Sequence, residues 1–185
     1  MNIKSMLSPL FIFIVFCMGL TATTELGTGQ FIERLLGAAG APPLIILAIV
    51  TGLMAVGRFF AGPIIHKFNP IGVLFFSAII ATLSLFVLAN AEGAMVYVGA
   101  ILFSCGVMYF WPTMIGCVAE YAPKTGALGM SLIGGAGMFA MSIWNPVIGH
   151  WIDNARTQAQ TTSVSVEQVE VLAGQAVLQN ILVFP

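Results

Sequence analysis

Inside an otherwise apolar stretch, Thr21, Thr24, Glu25 and Thr28 recur at spacings of three and four residues, with Gln30 close behind. On a helix such residues share one face. Polar side chains are costly in hydrocarbon and face a cavity or another helix, so this stripe could bind a polar solute. Glu25 has a second reading, as an interfacial residue that ends a span of about 20 residues. Further along, Tyr109-Phe-Trp-Pro-Thr113 places flat aromatic faces beside a proline. Pro112 frees a backbone carbonyl and bends a helix, and the aromatics could pack on a sugar-like ring or simply fill the bundle. Trp144-Asn-Pro146 repeats the pattern. There Ser131, Gly135, Met138, Ser142, Asn145 and Gly149 descend one face, which suits helices or water better than lipid. The candidate substrate-binding residues are therefore Thr21, Thr24, Glu25, Gln30, Tyr109, Trp111 and Asn145.

Two charges stand apart from that set. Arg58 and Glu120 lie near the cytoplasmic ends of their helices, either as separate interfacial anchors or as an ion pair that breaks during a gating cycle. His150 near an outer end suits a solvated surface group better than a proton relay. Catalytic and cofactor patterns are absent from the sequence: no G-x-x-x-x-G-K-[ST], G-x-S-x-G or H-E-x-x-H occurs. Cys17, Cys105 and Cys117 are odd in number, lack C-x-x-C spacing and sit in apolar runs, where a cysteine is a small packing residue. Neither a metal, a cofactor nor an enzyme is expected.

The elements that position these residues follow from charge placement. The 185 residues are 59% hydrophobic and 7% charged, with a net charge of −1 and a mean hydropathy of +1.02. Soluble domains average about 25% charged residues, and no basic surface is present for nucleic acid. Charges cluster at the ends of uncharged runs, which mark five membrane spans at about 6–36, 42–65, 70–90, 94–120 and 126–152. Asn69-Pro70 is an N-cap with proline in the first turn, opening the third span. The Ser/Thr/Gln-rich segment 153–170 is expected to be a polar external loop, and 171–185 the start of a sixth, incomplete span. The first run could instead be a signal peptide, with Lys4 as its n-region. With the N-terminus in the cytoplasm, Lys4, Arg58, Lys67 and Lys124 fall inside, and Arg34 and Arg156 outside, which the positive-inside rule favours.

Gly52, Gly57 and Gly62 in the second span, and Gly126, Gly129, Gly134, Gly135 and Gly137 in the fifth, are the expected helix-packing surfaces. The same smooth faces would let helices slide or rock.

The stretch Gly57-Arg-Phe-Phe-Ala-Gly-Pro-Ile-Ile-His-Lys-Phe68 resembles the loop signature of major facilitator superfamily transporters. Gly62 and Lys67 match it; His66 stands where aspartate is usual and Asn69 where glycine is usual. Tyr109 to Gly126 is similar to the tenth helix of that family and its cytoplasmic exit. Trp144 to Asp153 is similar to the outer end of the eleventh, and Thr21 to Gln30 to the seventh helix of bacterial sugar or solute porters. The resemblance implies the C-terminal six-helix bundle of such a transporter, with its last helix truncated. It implies residence in the cell inner membrane, alternating access about a midplane site, and a gating role for Arg58, Gly62, His66, Lys67 and Glu120. A missing N-terminal six-helix half would supply the opposite wall, and the coupling acid if transport is proton-coupled. The expected partners are that half, the bilayer and a small polar solute, sugar or nucleoside-like. The alternatives are an accessory or structural membrane subunit and a small polytopic membrane enzyme.

Overall fold

The computed structural model describes residues 3–30, 32, 43–160 and 165–185. Among them the regular elements are helices, with no strand. A short α1 (Ile3–Met6) precedes α2 (Pro9–Ala22), which runs on through a π turn at Thr23–Gly27 to Gln30. Then come α3 (Pro43–Phe59), α4 (Ala61–Phe68), α5 (Pro70–Asn90), α6 (Met95–Val107), α7 (Phe110–Tyr121), α8 (Gly126–Gln160) and α9 (Val166–Ile181). Four stretches, Pro9–Gln30, Pro70–Asn90, Met95–Tyr121 and Pro123–Gln160, are long and apolar enough to cross a membrane.

Helix starts follow local chemistry. The Ser8 hydroxyl accepts from the Phe11 N–H at 3.3 Å, with Pro9 in the first turn. Asn69 caps α5 through the Ile71 N–H at 3.4 Å, with Pro70 behind it. A side-chain acceptor there satisfies one of the N–H groups a helix start leaves open.

Two expected spans are each broken once. The second divides at Phe60 into α3 and α4, and its described apolar helix, Leu47–Phe59, falls short of a full span. Pro63 sits in the first turn of α4, where its missing N–H is harmless; a helix continued through it would lose a bond to Phe59 and clash with that carbonyl. The fourth span breaks at Met108–Tyr109 for the same reason, with Pro112 in the first turn of α7. Nothing comparable interrupts α8, which carries Pro146 in its interior.

The polar segment 153–170, read as a loop, is helical at both ends. α8 continues to Gln160, and α9 opens at Val166 behind a capping box in which the Ser165 side chain and Gln168 each serve the other's backbone N–H. Arg156 on α8 holds Glu170 on α9 at 2.7 Å, so water-exposed charge ties the two helices together. The expected end of the first span and start of the second, 33–42, lie outside the described residues.

Packing uses small residues, as it must where apolar contact between helices gains little over contact with lipid. α5 meets α6 so closely that a Cβ at Gly106 would stand 2.6 Å from the Ala81 backbone nitrogen. Ala81, Leu85 and Leu88 of α5 are buried there with Phe103 and Val107 of α6 and Leu178 of α9. A second cluster joins α2, α7 and α8 through Phe11, Met18, Met114 and Ile133. The opposite face of α5 exposes Phe75, Phe76, Leu83 and Phe86, as a lipid-facing helix would. Of the glycines expected to pack, Gly57, Gly129 and Gly137 are closely approached, whereas Gly52, Gly62, Gly134 and Gly135 have open space beside them. The closest approach to a neighbouring backbone, at Gly106, lies on neither of the expected surfaces.

Gly106→Ala should lower stability by about 1–3 kcal/mol, because a backbone neighbour cannot step aside as a flexible side chain can. Gly52→Ala should leave stability unchanged or raise it slightly. Unfolding of both variants in mild detergent, followed by circular dichroism, checks the contrast.

Candidate functional site

Glu25 sits on the π turn of α2, in the interior of the bundle, with 6% of its side chain exposed. The turn is built from a threonine-rich sequence whose hydroxyls bond backward. Thr23 donates to the Gly19 carbonyl at 2.8 Å and Thr24 to the Leu20 carbonyl at 3.0 Å. Such back-bonds compete with the helical ladder and loosen it, and π turns of this kind are frequent at functional sites. α2 continues past Glu25 to Gln30.

Its partner is Arg58, at the end of α3. The Arg58 Nη2 donates to Glu25 Oε1 at 2.5 Å, and Nε donates to the Met108 carbonyl at 3.0 Å. The second acceptor has a specific origin. Pro112 has no N–H to give to the carbonyl four residues earlier, and that residue is Met108. The guanidinium fork thus fills a vacancy that the proline creates, while its other arm neutralises a buried acid. Gly57 permits the approach: a side chain there would run into that of Met108. Arg58 retains 37% exposure, so one flank of the pair stays open.

This corrects the expectation for Arg58. It pairs with Glu25 across the interior and not with Glu120, because α4 carries the chain two turns further before the next connection. Glu120 is exposed at the far end of α7, where it lines a separate cavity of about 770 Å³ with Lys67 and Asn69. There the Tyr121 hydroxyl donates to Asn69 Oδ1 at 3.0 Å. Gly62 has open space around it, and the His66 side chain lies outside the described residues.

Beside the ion pair, α2, α3, α6 and α8 line a half-open cavity of about 450 Å³. Three of the sequence candidates line it: Glu25, Gln30 and Asn145. Gln30 and Asn145 also line an adjoining cavity of about 380 Å³ that extends toward Asp153 and Arg156 at the end of α8. The other candidates are elsewhere. Thr21 donates to the Cys17 carbonyl at 3.1 Å and Thr24 is spent on its own helix, so neither lines the cavity. Trp111 packs toward Gly137, where a Cβ would meet its ring at 3.1 Å, wedging α7 against α8. Tyr109 precedes α7 at the break. Most of the cavity wall was not foreseen: Leu47, Val50, Met54, Phe103, Met138 and Met141. Met138 alone belonged to the helical stripe identified in the sequence, and the rest look like ordinary apolar residues there.

Two buried oxygens at this level, Glu25 Oε2 and Thr28 Oγ1, have no hydrogen-bond partner among the described residues. Buried polar atoms are nearly always satisfied, so Glu25 Oε2 is left as an unfilled acceptor and the Thr28 hydroxyl as an unfilled donor and acceptor. No group of His, Cys, Asp and Glu suited to a metal ion occurs among the described residues.

The chain matches no protein-family model, no curated protein and no solved structure.

Removing one partner of the ion pair should destabilise the protein by about 2 kcal/mol, between the values for exposed and fully buried pairs. Arg58→Met and Glu25→Met should each do so, and the double variant should fall well short of the sum. A charge swap of Arg58 with Glu25 should restore more stability than one with Glu120. Denaturation of the variants as a double-mutant cycle measures the coupling directly.

Proposed function

We propose that this chain is one half of a solute transporter of the major facilitator superfamily, working by alternating access in the cell inner membrane. The observation that carries the reading is the Arg58–Glu25 pair, formed where two proline-broken helices meet and set beside a half-open cavity. Intramembrane ionisable residues mark solute and ion pathways. Broken helices are tolerated at depth where they are buried in protein or line a cavity.

Two further features support it. Asn69, which stands where the family signature has glycine, adopts a φ of 64°, a conformation that glycine takes without strain. On α8, Ser131, Gly135, Met138, Ser142 and Asn145 form an exposed stripe, the kind of face that a second six-helix half would cover. The solute is small and neutral. The sugar-like expectation rested on Tyr109, Trp111, Gln30 and Asn145; the two amides line the cavity and the two aromatics do not.

The N-terminus is cytoplasmic in this reading. Arg58 no longer counts among the loop cations, since it is held inside the bundle, so the argument rests on Lys4, Lys67 and Lys124 against Arg34 and Arg156. Single cysteines at Asn69 and Gln168, on a cysteine-free background, test it in whole cells with an impermeant thiol reagent. Labelling at 168 and not at 69 is expected; the reverse pattern inverts the orientation.

Transport itself is tested by expressing the protein from its own locus with flanking coding sequence intact, and measuring uptake of labelled sugars, nucleosides and hydroxylated aromatics. Deletion should abolish uptake of at least one solute, and Glu25→Gln should lower it roughly tenfold at unchanged membrane abundance. Equal uptake of every solute by the wild-type and deleted strains would overturn the transporter reading.

A further inference from the structure

We propose that the cavity beside Glu25 binds a neutral amphipathic solute that is mostly apolar and carries an O–H or N–H donor. The inference rests on the transporter reading for its biological role and names the solute class for that site.

The wall sets the apolar part. Leu47, Met54, Phe103 and Met138 contribute hydrocarbon, thioether and ring surface. Methionine side chains are flexible and polarizable, which suits flat or irregular apolar ligands. A cavity of about 450 Å³ falls within the range of small-molecule sites. A sugar would place hydroxyls around its whole perimeter against this wall and leave most of them unsatisfied, which costs about 1–3 kcal/mol each.

The polar part is narrow and has a direction. Glu25 lines the cavity and gives Oε1 to Arg58, while Oε2 is buried without a partner among the described residues, so a ligand donor reaches it once the side chain turns toward the cavity. A carboxylate oxygen only accepts, so the ligand must donate. Gln30 and Asn145 at the cavity edge can each donate or accept, and so accommodate a second polar group without dictating it.

Charge arithmetic selects a neutral ligand. Arg58 already neutralises Glu25, and no lysine, arginine or histidine lines the cavity. A cationic amine would leave one net positive charge beside the guanidinium, in a region of low dielectric where charge repulsion is strong. An anion would meet the unpartnered carboxylate oxygen directly.

The test uses the purified chain in lipid nanodiscs and equilibrium binding of four probes: 2-naphthol, 2-methoxynaphthalene, 2-naphthylmethylamine and glucose. Naphthol should bind, its methyl ether roughly tenfold more weakly, and the amine and glucose more weakly still. Leu47→Trp, which fills the cavity from a partly exposed position, should abolish specific naphthol binding and so separate it from partition into lipid.

Glu25→Gln should reduce the naphthol-to-ether ratio to about one. Arg58 will take the amide oxygen of the new side chain, and the amide N–H₂ left over is a donor that cannot receive the naphthol proton. Equal binding of naphthol and ether by the unaltered protein would overturn the proposal, as would tightest binding of the amine or of glucose. A ratio unchanged by Glu25→Gln would overturn the role of Oε2. None of these measurements requires transport, so a failed uptake experiment and a failed binding experiment are told apart.

Discussion

A guanidinium in the interior of an apolar bundle must have every face answered, by acceptors, by an opposite charge or by water. Arg58 finds two answers on two different helices, the Glu25 carboxylate on α2 and the Met108 carbonyl at the start of the α6–α7 break. One side chain therefore joins three segments that are far apart in sequence. Lysine could not do the same: a compact ammonium lacks the planar fork that reaches both acceptors at once. The remaining features of the region are conditions for that contact. Pro112 vacates the carbonyl, Gly57 clears the approach, and the π turn sets Glu25 in the interior.

The two proline breaks have a common logic. In each, the chain leaves its helix just before a short new one whose first turn holds the proline, so no N–H is wasted inside the helix. Breaks at depth expose backbone polar groups, and lipid cannot satisfy them. They survive here because one break meets a side chain from the other broken helix. The cavity opens beside that meeting point, where helices that cannot run straight also cannot pack flush. The closest backbone-to-backbone packing is between α5 and α6, where Gly106 lies against the Ala81 backbone.

The stability contributed by the pair is modest, given that Arg58 is 37% exposed. Its larger consequence is geometric. Any rearrangement that separates α2 from α3 must find new partners for a carboxylate and a guanidinium together. A ligand shifts such an equilibrium only through different contacts in the two states, and the unpartnered Glu25 Oε2 is where this chain offers a difference.

The sequence by itself determined the helical character and the apolar stretches long enough to cross a membrane, because charge placement and the length of uncharged runs act locally and additively. It also determined the N-cap at Asn69 and the consequence of Pro112, since both depend on residues within four positions of one another. It identified Glu25, Gln30 and Asn145 as polar groups at depth, and the structure brings those three to one cavity. Only the tertiary structure decided which acid Arg58 meets. In sequence Arg58 was matched only with Glu120, and the structure gives it Glu25 instead, with α4 extending beyond the break at Phe60. It also decided which polar residues were free to bind. Thr21 and Thr24 satisfy their hydroxyls within their own helix, and Trp111 is a wedge between α7 and α8. Side-chain periodicity places residues on a face; it does not say whether that face's hydrogen bonds are already spent, or what stands opposite.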